Sequence, residues 1–158
     1  AIDASGRFLY TANSRLIAGK CWISGFAIDT NAGTLTELAS SPFSAETATS
    51  FNCNPTSVAA DPLGETIYAA ATTDRIITYD MNQSTGELSV SSNALTSNDP
   101  FSLAIEASGS YLYSANFLGQ DVSSFTISSS DGSLTEIGTP TVTGGDGPIS
   151  ITTVSAFQ

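Results

Sequence analysis

The chain has 158 residues, 41 % of them hydrophobic and only 12 % charged, which suits a single domain with a buried core and excludes a disordered tail. Fifteen carboxylates stand against Arg7, Arg15, Lys20 and Arg75, and the resulting net charge of −11 repels phosphate backbones and anionic lipid, so no nucleic-acid or membrane-surface partner is expected. No apolar run approaches the roughly 20 residues of a membrane span.

Taken in order, short strands rich in β-branched and aromatic residues alternate with Gly, Asp, Asn and Ser, and no helical periodicity is sustained. Ala1-Ile2-Asp3 reads as the back half of an inner strand a. It is followed by strand b "RFLYTAN", strand c "WISGFAID" and strand d "TLTELAS", which make a first unit over 1–54. The second unit, 55–99, reads "PTSVAAD", "TIYAAAT", "RIITYDM" and "ELSVSSN". The third, 100–147, reads "PFSLAIE", "YLYSAN", "VSSFTIS" and "SLTEIGT", and 148–158, "PISITTVSAFQ", reads as one further strand a. Tyr10, Tyr68 and Tyr113 mark the repeat, as do the Gly-x-Leu steps at Gly33, Gly86 and Gly132. Four-stranded units at this period predict an all-β fold of three antiparallel β-propeller blades plus a terminal strand.

The spacing between anchors is uneven. The c-to-d interval is nine residues each time (Phe26–Leu35, Tyr79–Leu88, Phe125–Leu134), and a-to-b is thirteen (Pro55–Tyr68, Pro100–Tyr113). The b-to-c interval is sixteen, eleven and twelve, and d-to-a is twenty, twelve and fourteen. In an up-and-down blade these two classes of connection lie on opposite faces. The variable face is therefore the candidate binding face.

Cys21 and Cys53 both fall in long connections of the first unit, and a disulfide between them would close a 33-residue span (53 minus 21, plus one). Such a bond would contribute roughly 3–4 kcal/mol and implies an oxidising compartment: extracellular, periplasmic or cell-surface. Arg15, Lys20 and Arg75 lie in b–c connections and are candidates to hold a carboxylate or sugar acid, with local ion pairing as the competing role. Gln120 and Asp121 occupy the third b–c connection and are candidate hydrogen-bonding ligands. With no histidine in the chain, the usual general base and the commonest metal ligand are missing, and neither a metal site nor a cofactor is expected. "DTNAGTL" and "DMNQSTGEL" begin like calcium loops but carry Ser40 and Ser91 where the closing acid belongs, and are read as tight turns.

The run "DASGRFLYTAN", followed by "ISGFAIDTNAGTLT" and "SSPF", resembles the YVTN-repeat and lactonase-type propellers, relatives of bacterial 6-phosphogluconolactonase. The resemblance covers essentially the whole chain and implies a propeller of usually seven blades. It also implies hydrolysis of anionic sugar lactones at a pocket with basic and histidine side chains. No catalytic residue carries over, because none of the matching positions is one. The missing histidine and scarce cations favour a scaffold that binds a protein or glycan without chemistry of its own, with a lactonase-like hydrolase as the alternative. Three blades are fewer than a propeller needs to close, so further blades are expected from a longer chain or from another copy in a homo-oligomer.

Overall fold

Alternation with a period of two decides how the strands stack. In the central unit, residues 67, 69 and 71 of one strand point to one side, and 68 and 70 to the other, so a strand with apolar residues throughout can fill two cores at once. The computed structural model describes residues 1–17, 20–44 and 54–154, of which 15–17, 20 and 21 are described by backbone alone. They form three antiparallel sheets with no helix. The first comprises β1 (Phe8–Ile17), β2 (Lys20–Ile28), β3 (Leu35–Glu37) and β4 (Phe43–Ser44). The second is β5 (Pro55–Ala60), β6 (Thr66–Ala71), β7 (Arg75–Met81) and β8 (Leu88–Leu95). The third is β9 (Pro100–Ile105), β10 (Tyr111–Asn116), β11 (Asp121–Ile127), β12 (Leu134–Glu136) and β13 (Thr141–Val142).

The sheets are blades of an open propeller arc, each in sequential strand order. The outermost strand d is continuous in the second blade. In the first and third it breaks into two short pieces, β3 and β4 on β2 and β12 and β13 on β11. In the first blade the long b–c connection is a hairpin extension rather than a loop: β1 runs to Ile17 and β2 starts at Lys20, with a register shift between Asn13 and Ile17. Pairing Ile17 with Lys20 satisfies backbone groups that a loop would leave to water.

Two cores lie in the two seams. Phe8, Tyr10, Ile23 and Phe43 of the first blade pack against Ile67, Ala69, Ala71, Ile77, Tyr79 and Met81 of the second. Ala59, Tyr68, Ala70 and Ile76 pack against Leu103, Leu112 and Phe125 of the third. Ala69, Ala70 and Ala71 are fully buried, and their small side chains let both neighbours approach β6.

The recurrent tyrosine has a specific task in each seam. Tyr10 Oη donates to the Gly86 carbonyl at 2.6 Å, and Tyr68 Oη donates to the Gly132 carbonyl at 2.8 Å, in each case the glycine of the next blade's c–d turn. Burial pushes both phenols up from their usual range, with Asp3 and Asp61 respectively adding to it. The inner strands repeat a second contact: the Leu103 amide donates to Ser57 Oγ at 3.1 Å, and the Ile151 amide to Ser102 Oγ at 3.2 Å. Residues 148–154 thus lie where a following blade's inner strand would, along β9, but form no ladder.

Candidate functional site

On the face with fixed spacing the turns are closed by their own hydrogen bonds. Each a–b turn hangs on one carboxylate. Asp3 accepts from the Arg7 and Phe8 amides at 2.9 and 2.7 Å, and Glu106 from the Ser110 and Tyr111 amides at 2.7 and 3.2 Å. Hydrogen bonds from Ser108, and then from the Ser110 and Tyr111 amides, hold the Glu106 carboxyl down at about 2. Two of the three c–d turns are Asx turns: Asp29 Oδ1 accepts from the Asn31 and Ala32 amides, and Asn82 Oδ1 from the Ser84 and Thr85 amides, while Ser128 stands at that position in the third and its Oγ accepts from the Ser130 amide. These are turns, as their sequence indicates, and Asp29 and Asn82 are used in making them.

Two grooves open on this same face, in the seams. One of about 240 Å³, between the first two blades, is lined by Arg7, which donates to the Gln83 carbonyl across it. One of about 700 Å³, between the second and third, is lined by Asp61, Glu65, Asp80 and Asp131 with many serines. Burial raises the Asp61 carboxyl against a single hydrogen bond from the Leu63 amide. With carboxylates and no lysine or arginine in its lining, this groove repels an anionic substrate.

The variable face is built differently. Its connections are held by backbone groups: Thr96 N donates to Asp74 O at 3.1 Å within the second blade, and Phe117 N to Asp99 O at 2.8 Å and Gly119 N to Asn98 O at 3.0 Å join the third b–c turn to the connection leading into β9. Asp74, Asp99 and Gln120 have φ of 59°, 60° and 55°, the left-handed region that Asp and Asn enter more readily than most non-glycine residues. Asp74 Oδ1 accepts the Asp99 amide at 3.0 Å, which brings the two carboxylates together at the start of inner strand β9. Burial first, and then the Asp74 charge, push the Asp99 carboxyl up. Arg75, the next residue along from Asp74, opens β7 and donates to Asn93 Oδ1.

Asn116 is fully buried and organises the third b–c turn. Its Nδ2 donates to Asp121 Oδ1 at 2.7 Å and to Ser123 Oγ at 3.1 Å, while Ser97 Oγ donates to Asp121 Oδ2 at 2.8 Å. Asn13 repeats the device in the first blade, donating to Ser24 Oγ at 2.8 Å.

Among the sequence candidates, Arg75 follows Asp74 in the chain, and its guanidinium donates to Asn93 Oδ1 on β8. Gln120 and Asp121 occupy the adjoining turn: both carboxylate oxygens of Asp121 are held within the fold, and the Gln120 carbonyl accepts from Thr143 N and Oγ1, each at 3.0 Å. The side chains of Arg15, Lys20 and Cys21, and all of Cys53, lie outside the described residues, and so does the disulfide expected between the cysteines. Asp99 was not singled out from the sequence. The available signal was an acidic residue immediately before the proline that opens an inner strand. Among the described residues no group of three or more His, Cys, Asp or Glu side chains is arranged to hold a metal ion.

Residues 22–153 match the family described as lactonase, 7-bladed beta-propeller. Three solved structures have the same fold. The structure of a provisionally assigned 6-phosphogluconolactonase from Bacteroides fragilis is 23 % identical, with a TM-score of 0.78, over 95 % of this chain and 39 % of that one. One of a provisionally assigned 6-phosphogluconolactonase from Bacteroides uniformis is 21 % identical, with a TM-score of 0.77, over 94 % of this chain and 40 % of that one. The periplasmic gluconolactonase of Pseudomonas aeruginosa is 18 % identical, with a TM-score of 0.71, over 90 % of this chain and 39 % of that one. This chain spans about two fifths of their length. No curated protein matches the sequence. The family match overturns the expectation of a non-catalytic scaffold and favours the lactone-hydrolase alternative. The missing histidine misled because a carboxylate can also serve as the base.

Proposed function

This chain belongs to the seven-bladed lactonase β-propeller family, and we propose that it contributes blades and part of the site of a hydrolase acting on sugar-acid lactones. The observation that carries this reading is the family match over 22–153. The gluconolactonase and 6-phosphogluconolactonase neighbours, which share the fold, support a sugar-acid lactone as the substrate class.

Within the chain the reading falls on the variable face, where Asp99 is the base. In lactone hydrolysis a water oxygen attacks the ring carbonyl, and its proton goes to a base. The ring C–O bond then breaks and the leaving oxygen recovers a proton, giving the open hydroxy acid. A carboxylate whose proton affinity is raised by burial and by a neighbouring carboxylate is suited to take that proton. Arg75, in the b–c connection of the same face, is the cation this reading assigns to a substrate carboxylate, phosphate or developing oxyanion. The periplasmic neighbour supports an extracytoplasmic location.

Hydrolysis of δ-gluconolactone and 6-phosphogluconolactone, followed by base uptake against the spontaneous rate, tests the reading. The expected result is acceleration that falls about 100-fold or more in Asp99→Asn. Rates equal to the spontaneous ones for both substrates overturn it.

A further inference from the structure

The segment 96–99, which ends on Asp99, is fastened from two sides. On one side Asp74 takes the Thr96 amide on its carbonyl at 3.1 Å and the Asp99 amide on Oδ1 at 3.0 Å. On the other side stands the third b–c turn. Phe117 N donates to Asp99 O at 2.8 Å and Gly119 N to Asn98 O at 3.0 Å, while Thr96 Oγ1 donates to Asn116 Oδ1 at 3.3 Å. Ser97 Oγ donates to Asp121 Oδ2 at 2.8 Å, and this bond to a carboxylate is the stronger kind of side-chain hydrogen bond. Asp121 is itself fixed. It opens β11 opposite Asn116, and its Oδ1 accepts from Asn116 Nδ2 at 2.7 Å. Asn116 is fully buried and is held in turn by Ser114 and Ser123. Gly119 lies over the Ser97–Asp121 bond: a Cβ there would come 2.5 Å from Ser97 Oγ and 3.0 and 3.1 Å from the two Asp121 oxygens. Its φ lies outside the left-handed region, so the close approach, and not backbone conformation, is what calls for glycine at this position.

We propose that Asp121, acting through Ser97, is a positioning residue for Asp99: it carries the placement of β11 to the segment 96–99 and so fixes where the Asp99 carboxylate stands against the attacking water. This role rests on the reading of Asp99 as the base. With both of its oxygens already accepting hydrogen bonds, Asp121 takes no proton from the reaction and needs no contact with substrate. A side chain anchored to a strand holds a loop residue more exactly than another loop can, and small displacements of a reacting group are costly in rate.

Two substitutions break the same bond in different ways. Ser97→Ala removes the donor, whereas Gly119→Ala removes no polar group and puts a methyl where the Ser97 hydroxyl lies. Each is expected to lower kcat for lactone hydrolysis about tenfold at unchanged KM, with circular dichroism and urea midpoint close to those of the parent. The double variant is expected to be no slower than either single one, because both remove one interaction. Ser97→Thr, which keeps the hydroxyl, is expected to stay within about twofold of the parent. A bond that served stability alone would lower the urea midpoint and leave the kcat of the folded protein unchanged. Parental kcat in either single variant overturns the positioning role and leaves Asp99 as the base. Losses that multiply in the double variant, or that Ser97→Thr does not recover, overturn it as well. Spontaneous rates in the parent itself remove the hydrolase reading, and the positioning role falls with it.

Discussion

The two faces of the blades handle left-handed backbone differently. On the face of the a–b and c–d turns, every such position among the described residues is glycine: Gly6, Gly64 and Gly109 in one set, Gly33, Gly86 and Gly132 in the other. On the face of the b–c and d–a connections Asp74, Asp99 and Gln120 enter it as well as Gly144. Glycine enters that region without steric cost, whereas side-chain-bearing residues there cost of order 1–3 kcal/mol each and are retained where they serve a site. The carboxylates divide less cleanly. On the turn face, hydrogen bonds from the Ser5 and Ser108 hydroxyls and then from backbone amides hold Asp3 and Glu106 down against burial, while burial raises Asp61; on the connection face burial and then the Asp74 charge raise Asp99.

Substitutions at the turn face break this contrast most severely. Gly86→Ala combines the φ of 74° with overlap on the Phe8 ring, and a loss of about 3 kcal/mol is expected in urea unfolding. Gly6→Ala, at φ of 71° with nothing within 4 Å, should lose only about 1 kcal/mol, so equal losses would remove the seam as the reason. On the connection face the signs reverse. Asp99→Asn is expected to gain a few tenths of a kcal/mol at neutral pH, by relieving repulsion from Asp74 across a partly solvated gap, while hydrolysis falls. A variant losing stability and activity together would make Asp99 structural.

Smaller effects sharpen the comparison. Tyr68→Phe removes the hydroxyl from the Gly132 carbonyl and should cost about 1 kcal/mol, read as a shift in urea midpoint at unchanged slope. Glu106 should titrate near 2 by NMR, against 4.5 for an ordinary glutamate. A depressed carboxyl binds its proton less tightly when folded, so its contribution to stability is complete above 4.5 and is lost as pH falls through about 2. Glu106→Gln should flatten the pH dependence of stability across that window. Asp99 has the opposite sign, its folded state holding the proton more tightly, so its contribution is lost as pH rises through its raised value.

The blades were legible in the sequence because their causes are local. Period-two alternation, the Tyr10, Tyr68 and Tyr113 anchors and the Gly-x-Leu turns each act within one or two strands, and the constant nine-residue c-to-d step follows from a turn that closes on its own Asp, Asn or Ser. The pairing of Ile17 with Lys20 was not legible: whether a longer connection loops out or pairs depends on register beyond Asn13, which composition does not state.

By itself, then, the sequence determined that the chain folds into four-stranded blades and which face carries the variation. Only the tertiary structure decided what the repeated tyrosine binds, because Gly86 and Gly132 lie 76 and 64 residues away and meet Tyr10 and Tyr68 only when blades stack. The same holds for the candidate site. Asp74 and Asp99 are 25 residues apart and belong to two connections, so the charge of one reaches the other only once β8 has paired with β7 and its connection has folded back over Asp74.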